Sequence, residues 1–576
     1  MAVLGIDLGT TNSLAAYWED GKVHLVTDEH GEALFPSVVG YIEGEGLVAG
    51  AEAKERILTH REDTVCSFKR FMGTAKKYRL GGSLYTPMEL SAMVLEHIRR
   101  NAEYFLKEEI EEAIITVPAY FNDKQRSDTK KAAKIAGLKV ERLINEPSAA
   151  ALAYRMESGR EDATLLVFDF GGGTLDVSLV DAFDNVVEIR AVAGDNRLGG
   201  KDFNEVIAAE FYRRYGGVPE DFSPEEQGIV RKEAEQLKIA LSTEKEAVRT
   251  FLLSGNEYTM LLTNQELIHC AVDLFKRISA PIQKVMNDAD ILPEEIDKII
   301  LAGGSSKMPV VRQYIESLMD VTVVMDENPD ESIALGVGTA AGIKERTGDL
   351  RDMILSDICP FSLGIELFDG SFSPIIERND TLPCSRTRHY ATVHDNQTKL
   401  DVHIYQGENL MARDNLHLCE MQLCGLPKAK AGEVGASVTF LYDINGILDI
   451  RIEGGGQTQH KVVLNKNAGL TDAQVEERVK LLQKQSLHPF GRERDRLLIE
   501  RAQRVYMESD KGTREMIARM LYSFKDALER RVSAEVRENY VRLSLCLEAV
   551  ENRKFRFEEF DESFFDSGDE PNGDGE

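Results

Sequence analysis

Two stretches of this chain repeat one plan. Residues 3–18 read VLGIDLGTTNSLAAYW, and residues 167–180 read VFDFGGGTLDVSLV. Each is a short apolar strand that stops at an aspartate, passes an apolar residue and a glycine, and returns through small residues as a second strand. Asp7 matches Asp169, and Gly9 matches Gly171. The spacing is far too wide for a solenoid. The repeat therefore predicts two similar α/β subdomains, each opening with a hairpin that ends in a glycine turn. An ordinary β-turn needs one glycine for positive φ, or two, whereas Gly171, Gly172 and Gly173 are three in a row. Such a turn bares successive N–H groups and suits phosphate oxygens.

Asp7, Asp169 and Asp176 cannot approach phosphate without repulsion. A divalent metal and its waters between them removes the difficulty, and magnesium is commonly held by one or two carboxylates plus phosphate. Thr10, Thr11 and Thr174 bring hydroxyls to the same turns, and GGSS at 303–306 is a third glycine loop. No G-x-x-x-x-G-K-[ST] motif is present, so this is not a P-loop protein. One D-x-G turn alone says little, since Asp and Gly are common in loops. Two matching turns and a third glycine loop say much more.

Strands and helices alternate through the first part of the chain. EAIITVPAY reads as a strand leading to FNDKQRSDTKKAAKIAG, a helix closed by Gly137. In VERLINEPSAAALAYRM, Pro147 falls just inside a helix start, where its missing N–H is harmless. DFSPEEQGIVRKEAEQLKIALS opens with Ser223 as N-cap, Pro224 in the first turn and Glu226 closing a capping box. The alternation implies α/β layers around a mostly buried sheet. Near residue 348 the texture changes: TGDLRDMILSD reads as a linker, and ATVHD, KLDVHIYQG and SVTFLYDINGILDIRIEGGG read as strands, with Asn445–Gly446 a hairpin signal. Thr471 and Gln474 form a capping box that opens a mostly helical stretch over 472–553. After Arg556 there is no Lys or Arg, which predicts a disordered acidic tail.

The net charge of −29 argues against nucleic-acid backbone binding, which needs basic stripes. Seven cysteines show no C-x-x-C spacing and read as buried thiols in a reducing cytosol. No signal peptide and no membrane span is apparent, so the expected location is cytoplasmic. Glu235, Lys238 and Ser242, at i, i+3 and i+7, share one helix face. On spacing alone they are a solvated face with an ion pair, and Lys69 and Glu146 are equally open to being surface charges.

In order along residues 3–409, GIDLGTTNS, ITVPAYFND, RLINEPSAAALAY, FDFGGGTLDVS, LGGKDFN, LAGGSSKMPVV, NPDESIALG, SLGIE and IYQGEN resemble the seventy-kilodalton heat-shock chaperone family, the DnaK-like proteins. The resemblance implies an actin-like α/β ATPase domain of two duplicated RNase H-like subdomains around a cleft (1–347), a linker (348–358), an all-β sandwich that binds peptide (359–467), an α-helical lid (468–556) and the acidic tail (557–576). It implies an ATP-dependent chaperone for exposed hydrophobic segments of unfolded chains, with ATP/ADP, Mg2+ and K+ in the first domain. Asp7, Asp169 and Asp176 would hold the cations. Lys69 would position the attacking water, Glu146 would order water and the metal shell, and Thr174 would contact the γ-phosphate. Thr10, Thr11, Asn12, Gly171, Gly172 and Gly173 would cradle phosphate, with Gly199 and Gly200 beside them. Glu235, Lys238 and Ser242 would hold ribose and base, facing Gly303, Gly304, Ser305, Lys307 and Asp330. The peptide groove maps onto Ile365, Phe368, Tyr390, Val393, Leu400 and Val402, with Phe368 and Val393 as an arch. For Leu400 and Val402, plain sandwich core is a serious competitor. A J-domain co-chaperone is expected near Arg142 and Asn145, and the protein is expected to be a monomer.

Some residues depart from the family pattern. Lys307 stands where many relatives carry an adenine-stacking arginine, and lysine stacks less well. The linker core Met353-Ile354-Leu355-Ser356 loses its last apolar position, and Asn409 replaces the usual arginine after Q-G-E. His488-Pro489-Phe490-Gly491 interrupts a short lid, and the compact loop between FLLSGNEY and TMLLTNQEL bears on exchange-factor docking. These features resemble the short, divergent HscC-like bacterial branch. A sugar or acetate kinase, an actin-like filament protein and a weakly hydrolysing regulator are the competing readings. Residues 359–553 argue against the first two.

Overall fold

The computed structural model describes residues 2–28, 31–140, 142–157, 162–183, 186–319, 321, 323–325, 328–344, 354–443, 448–463, 493–509, 511–530 and 533–552. Residues 348–353 of the expected linker, the Asn445–Gly446 turn, the Thr471/Gln474 box, the His488–Gly491 interruption and the tail 557–576 lie outside them. The chain divides into two compact units. The larger takes in most of the chain, the sandwich included, and the smaller gathers 55–61, 250–259 and the described helices from Glu493 onward.

The duplicated turn folds in duplicate. Strand Val3–Asp7 pairs antiparallel with Asn12–Glu19 and parallel with Glu112–Val117. Strand Ala163–Phe170 likewise pairs antiparallel with Leu175–Phe183 and parallel with Lys298–Ala302. The first sheet runs Leu143–Asn145, Glu112–Val117, Val3–Asp7, Asn12–Glu19, Lys22–Leu25. The second has seven strands: Val323–Met325, Lys298–Ala302, Ala163–Phe170, Leu175–Phe183, Val186–Asp195, Ile354–Ile358 and Thr381–Leu382. Strands buried on both faces have near-continuous apolar sequences, as in LLVF and KIILA. One core holds both halves, including Val3 and Ile114 from the first sheet, Leu165 and Val167 from the second, and Ile333 and Val337 from helix Ser332–Lys344. That helix is apolar nearly all round, as a helix buried on every side must be.

The local signals read from the sequence hold. Ser223 Oγ accepts from the Glu226 N–H at 3.2 Å while the Glu226 carboxylate accepts from the Ser223 N–H at 2.8 Å, capping helix Pro224–Ala240. Helix Asp123–Ile135 is followed by Gly137 at φ +81°, and Pro147 is in the first turn of Glu146–Glu157. The loop expected between FLLSGNEY and TMLLTNQEL, by contrast, is not found there: strand Asn256–Thr263 runs straight through Tyr258 and Thr259, and the turn falls earlier, at Ser254 and Gly255, which both take positive φ.

The β-sandwich has two four-stranded sheets. One is Phe372–Ile376, Leu363–Glu366, Lys399–Gln406 and Leu416–Cys424; the other is Cys384–Ala391, Gly435–Tyr442, Leu448–Gly454 and Gln457–Val463. The strand expected at ATVHD ends at Ala391 instead, because Gln397 Oε1 takes the main-chain N–H groups of both Val393 and His394. The end of the linker also differs from expectation: Ile354–Ile358 is a strand, parallel to Val186–Asp195. Cys66 and Cys424 are exposed rather than buried, Cys424 by the outward alternation of its strand.

In the smaller unit, helices Glu493–Glu508, Lys511–Arg530 and Ser533–Asn552 pack around Leu498, Val505, Ile517, Phe524, Leu543 and Leu547. Arg501 donates to Glu551 at 2.6 Å, and Arg56 to Glu500 at 2.6 Å within the same unit. No helix among the described residues is long and apolar enough to cross a membrane.

Candidate nucleotide site

Both hairpins carry their aspartates to strand ends. Asp7 ends its strand, and Asp169 lies opposite Asp176 in the second hairpin. Thr116 Oγ1 donates to Asp7 Oδ1 at 2.8 Å. Lys69, in the short 3-10 turn Phe68–Phe71, donates from Nζ to Glu146 Oε1 at 2.9 Å, and both residues are 5 % exposed. They are not surface charges.

The electrostatics are those of a buried anionic cluster. Burial and the Glu146 charge push the Asp7 carboxyl up to about 7, against the pull of Lys69 and the Thr116 hydroxyl. Burial and Glu146 likewise take Asp176 up to about 7, and burial with Glu146, Asp176 and Asp7 raises Asp169 well above the carboxylate range. Burial opposes the Lys69 charge, but Glu146, Asp7 and Asp169 outweigh it and its pKa rises. Among the described residues neither Asp176 oxygen makes a well-formed hydrogen bond, although the Tyr120 main chain pulls the Asp176 pKa down, and the buried Thr11 hydroxyl has no partner. Crowded, dry carboxylates with unused oxygens are a donor set that fits a hard cation.

Three glycine loops meet beside this cluster. The Gly171 N–H donates to the Thr174 carbonyl at 3.1 Å, and the Gly200 and Lys201 N–H groups donate to the Gly171 and Gly172 carbonyls at 3.0 Å. A Cβ on Gly199 would lie 2.4 Å from the Gly173 nitrogen, so only glycine permits this approach. Gly303, at φ +79°, would put a Cβ 2.7 Å from Asp169 Oδ1. Ser305 Oγ donates to the Gly171 carbonyl at 2.9 Å. Thr10 and Thr11 of the first hairpin lie against Gly173 and Gly172, and Gly304 lies against Asp330. Asn12 opens the returning strand.

Lys238 Nζ donates to the Gly200 carbonyl at 3.0 Å, and burial pushes its pKa down to about 8 against the opposing Glu235 charge. Helix Pro224–Ala240 ends before Ser242, so the expected single helix face is only partly helical; Ser242 sits in the following turn and donates to the Lys238 carbonyl at 3.4 Å. Lys307 Nζ pairs with Asp330 Oδ2 at 2.5 Å. The sequence reading overlooked Arg70, which pairs with Asp202 at 3.0 Å beside the glycine turn. Its position next to Lys69, with an aspartate in GGKDF, was the available signal.

The sequence profile of the Hsp70 protein family matches residues 3–79 and 75–554. The chain belongs to the Hsp70 family. It is accordingly an ATP-dependent chaperone, which binds and hydrolyses ATP and binds unfolded polypeptides. The kinase and filament readings are set aside.

In this Hsp70 the six residues expected to line a peptide groove are placed unevenly. Ile365 and Val402 belong to the sandwich core, Tyr390 and Leu400 pack partly buried against it, and Phe368 and Val393 are exposed at 76 % and 47 %. The Phe368 ring stands edge-on to His394, the residue after Val393, with centroids 5.9 Å apart. Tyr390 Oη and Ser373 Oγ are hydrogen-bonded at 3.1 Å. Asn409 makes a reciprocal pair with Asn415: its N–H donates to Asn415 Oδ1 at 2.9 Å, and Asn415 Nδ2 donates to its carbonyl at 2.8 Å.

Contacts the sequence did not announce join the sandwich to the N-terminal α/β part of this Hsp70. Asn145 Nδ2 donates to Asp357 Oδ1, and Arg126 donates to Asn145 Oδ1 at 2.6 Å. Tyr442 Oη donates to Asp123 Oδ1, whose N–H donates to Gln406 Oε1 at 3.2 Å. Arg378 pairs with Asp288 at 2.6 Å. Asn145 is thus buried and engaged inside the chain, and burial lowers the Arg142 pKa while the Asp357 charge opposes it.

Proposed function

We propose that hydrolysis is carried out by the cluster around Lys69 and that its state is passed to the peptide-binding sandwich through Asn145. The Lys69–Glu146 bond, buried among Asp7, Asp169 and Asp176, is the observation that carries the reading. Lys69 would hold the attacking water in line with the γ-phosphorus; the new P–O bond forms as the bond to the bridging oxygen breaks, leaving ADP and phosphate. Positioning and charge do most of the work in such a transfer. Glu146 would fix Lys69 and order water, and Thr174 would contact the γ-phosphate. Thr10, Thr11, Asn12, the Gly171–Gly173 turn, Gly199 and Gly200 would cradle phosphate. Glu235, Lys238, Ser242, Gly303, Gly304, Ser305, Lys307 and Asp330 would line the nucleoside.

Asp7, Asp169 and Asp176 would hold Mg2+ and K+. Bound there, the cations would neutralise phosphate charge. The Asp176 oxygens, which make no well-formed hydrogen bond among the described residues, support this assignment.

Phe368 and Val393, exposed and joined through His394, would arch over an extended apolar segment, with Tyr390 and Leu400 beneath them and Ile365 and Val402 as the wall from the core. Main-chain pairing would give affinity and the apolar pocket preference. ATP would favour the arrangement in which Asp357 and Tyr442 are bonded to Asn145 and Asp123, and peptide would favour the other; the coupling is reciprocal.

The domain boundaries at 347, 358, 467 and 556, a monomeric state and a cytoplasmic location belong to the same reading, and a place in the HscC-like branch rests on the residues that depart from the family pattern. A J-domain co-chaperone would act beside Arg142 and Asn145 by loosening the Asp357 bond. An exchange factor would meet the hairpin turn at Ser254–Gly255. The deciding experiment loads a fluorescent hydrophobic peptide in ADP and adds ATP, comparing wild type with Thr174→Ala. Fast release in wild type, slowed by the substitution, supports the reading; hydrolysis without accelerated release overturns the coupling.

A further inference from the structure

Strands Lys399–Gln406 and Leu416–Cys424 are antiparallel, with His403 opposite Glu420. The register then shifts: Ile404 faces Cys419 but Tyr405 faces His417, so Leu418 is an extra residue on its strand. In a regular strand residues three apart point to opposite faces. The bulge at Leu418 removes one step of the alternation and turns His417 to the outward face that His403 and Glu420 already occupy. Bulges re-aim side chains at functional places more often than chance requires.

The result is a convergent set of donors. His403 Nδ1 lies 3.6 Å and His417 Nε2 3.8 Å from the same oxygen, Glu420 Oε1. One ligand atom from each residue falls within 4.8 Å of the others. A tetrahedral zinc site with bonds of about 2.0–2.1 Å needs its ligand atoms roughly 3.3 Å apart. The side chains are 39 %, 42 % and 67 % exposed, so modest rotations close the set. Neighbours steady it without occupying it. The Tyr405 ring stands edge-on to His417 at 5.1 Å and its hydroxyl donates to Glu366 Oε2 at 3.2 Å, while Lys461 Nζ donates to the Glu420 main-chain carbonyl at 3.0 Å.

We propose that His403, His417 and Glu420 form a binding site for a divalent late transition-metal ion, with zinc the first choice, on the outer face of the sandwich. Two imidazoles and one carboxylate select Zn2+, Ni2+ or Cu2+ over Mg2+ and Ca2+, which demand oxygen ligands. Three protein ligands leave a fourth position for water or for a ligand from another molecule. The site is separate in place and in donor chemistry from the aspartates of the N-terminal α/β part. A bound ion would clamp the two strands together across the bulge.

The test uses the full chain carrying Cys66→Ser and Cys424→Ser, which removes the exposed thiols, in millimolar MgCl2 and ADP to occupy the aspartates. ZnCl2 is titrated against a chromophoric chelator, and the same protein is compared with His403→Ala/His417→Ala. The expected result is one zinc equivalent lost in the double variant, and affinity weakened more than about tenfold by Glu420→Gln, beyond the lower limit for losing even a supporting partner of a metal ligand. Equal stoichiometry and affinity in all three proteins, or no zinc bound by the parent, would overturn the proposal. Co2+ bound to the parent gives a reading that needs no histidine variant. Visible bands of a four-coordinate N/O site are expected, and thiolate charge-transfer bands or a six-coordinate spectrum would reject it.

Discussion

Asn145 donates its side-chain amide to the Asp357 carboxylate, across 212 residues of sequence, while the next residue, Glu146, accepts from Lys69 Nζ at 2.9 Å. A single peptide unit therefore separates the lysine of the anionic cluster from the strand that leads into the sandwich. In the proposed coupling, movement of Glu146 on loss of the γ-phosphate would be felt at Asp357.

Asn145→Ala removes one donor from the half-buried Asp357, which keeps the Ile358 N–H at 2.9 Å, a loss of about 1–3 kcal/mol. ATP-triggered peptide release is expected to slow by about tenfold, with ATP affinity changed far less. Stopped-flow fluorescence of a preloaded peptide measures the first and a filter or quench assay the second. Unchanged release would remove Asn145 from the coupling.

Lys69→Ala strips the cluster of its central cation and leaves Glu146 unpaired beside three aspartates. Single-turnover hydrolysis is expected to fall by roughly 100-fold or more, in line with the loss of a preorganised electrostatic donor. ADP binding should survive. A turnover within a factor of about three of wild type would be incompatible with the role assigned to Lys69.

Gly199→Ala meets main chain rather than side chain. Its backbone, at φ −172°, is extended and open to any residue, so the obstacle is the Gly173 nitrogen 2.4 Å from the new Cβ. The phosphate turn must shift, and nucleotide affinity is expected to drop by more than about tenfold, since a shift there disturbs several N–H contacts together. Calorimetric titration with ADP checks it, and wild-type affinity would show that the turn does not carry phosphate.

Lys238 gives a pH signature. Burial lowers its pKa from the ordinary 10.5 to about 8, so between those values the unfolded chain binds more protons than the folded one. Stability from this group is complete above 10.5 and is lost as pH falls through about 8. Denaturation of the nucleotide-free protein at several values across that window, beside Lys238→Met, should show wild type gaining on the variant as pH rises. A constant difference would mean that Lys238 is not desolvated.

The duplicated turn was legible because each half repeats both its hydrophobic pattern and its aspartate, and these fix hairpin and register together. The capping box at Ser223 and the close of helix Asp123–Ile135 were legible because their causes are local. Ile354–Ile358 was read as linker because a short apolar run is the same in a tether as in an added strand; only the partner Val186–Asp195 distinguishes them. Asn145–Asp357 and Asp123–Tyr442 join residues with no common period, so nothing local marks them. The bulge left one trace, the consecutive inward residues Leu418 and Cys419 in LHLCEMQLC. Ser242 was assigned to a helix that stops at Ala240, two residues earlier, at an end where helices fray.

The seven-stranded ladder from Val323 to Leu382 has a consequence for how the molecule comes apart. Because strand Ile354–Ile358 bonds to Val186–Asp195 on one side and Thr381–Leu382 on the other, melting either side exposes main-chain groups on its neighbour. That shared strand ties the two regions together alongside the Asp123–Tyr442 and Arg378–Asp288 contacts, and such continuous pairing favours their opening as one unit. A fragment cut before residue 354 would keep the Lys69–aspartate cluster yet present Val186–Asp195 as a bare sheet edge, an invitation to self-association that the intact chain covers with its own connector.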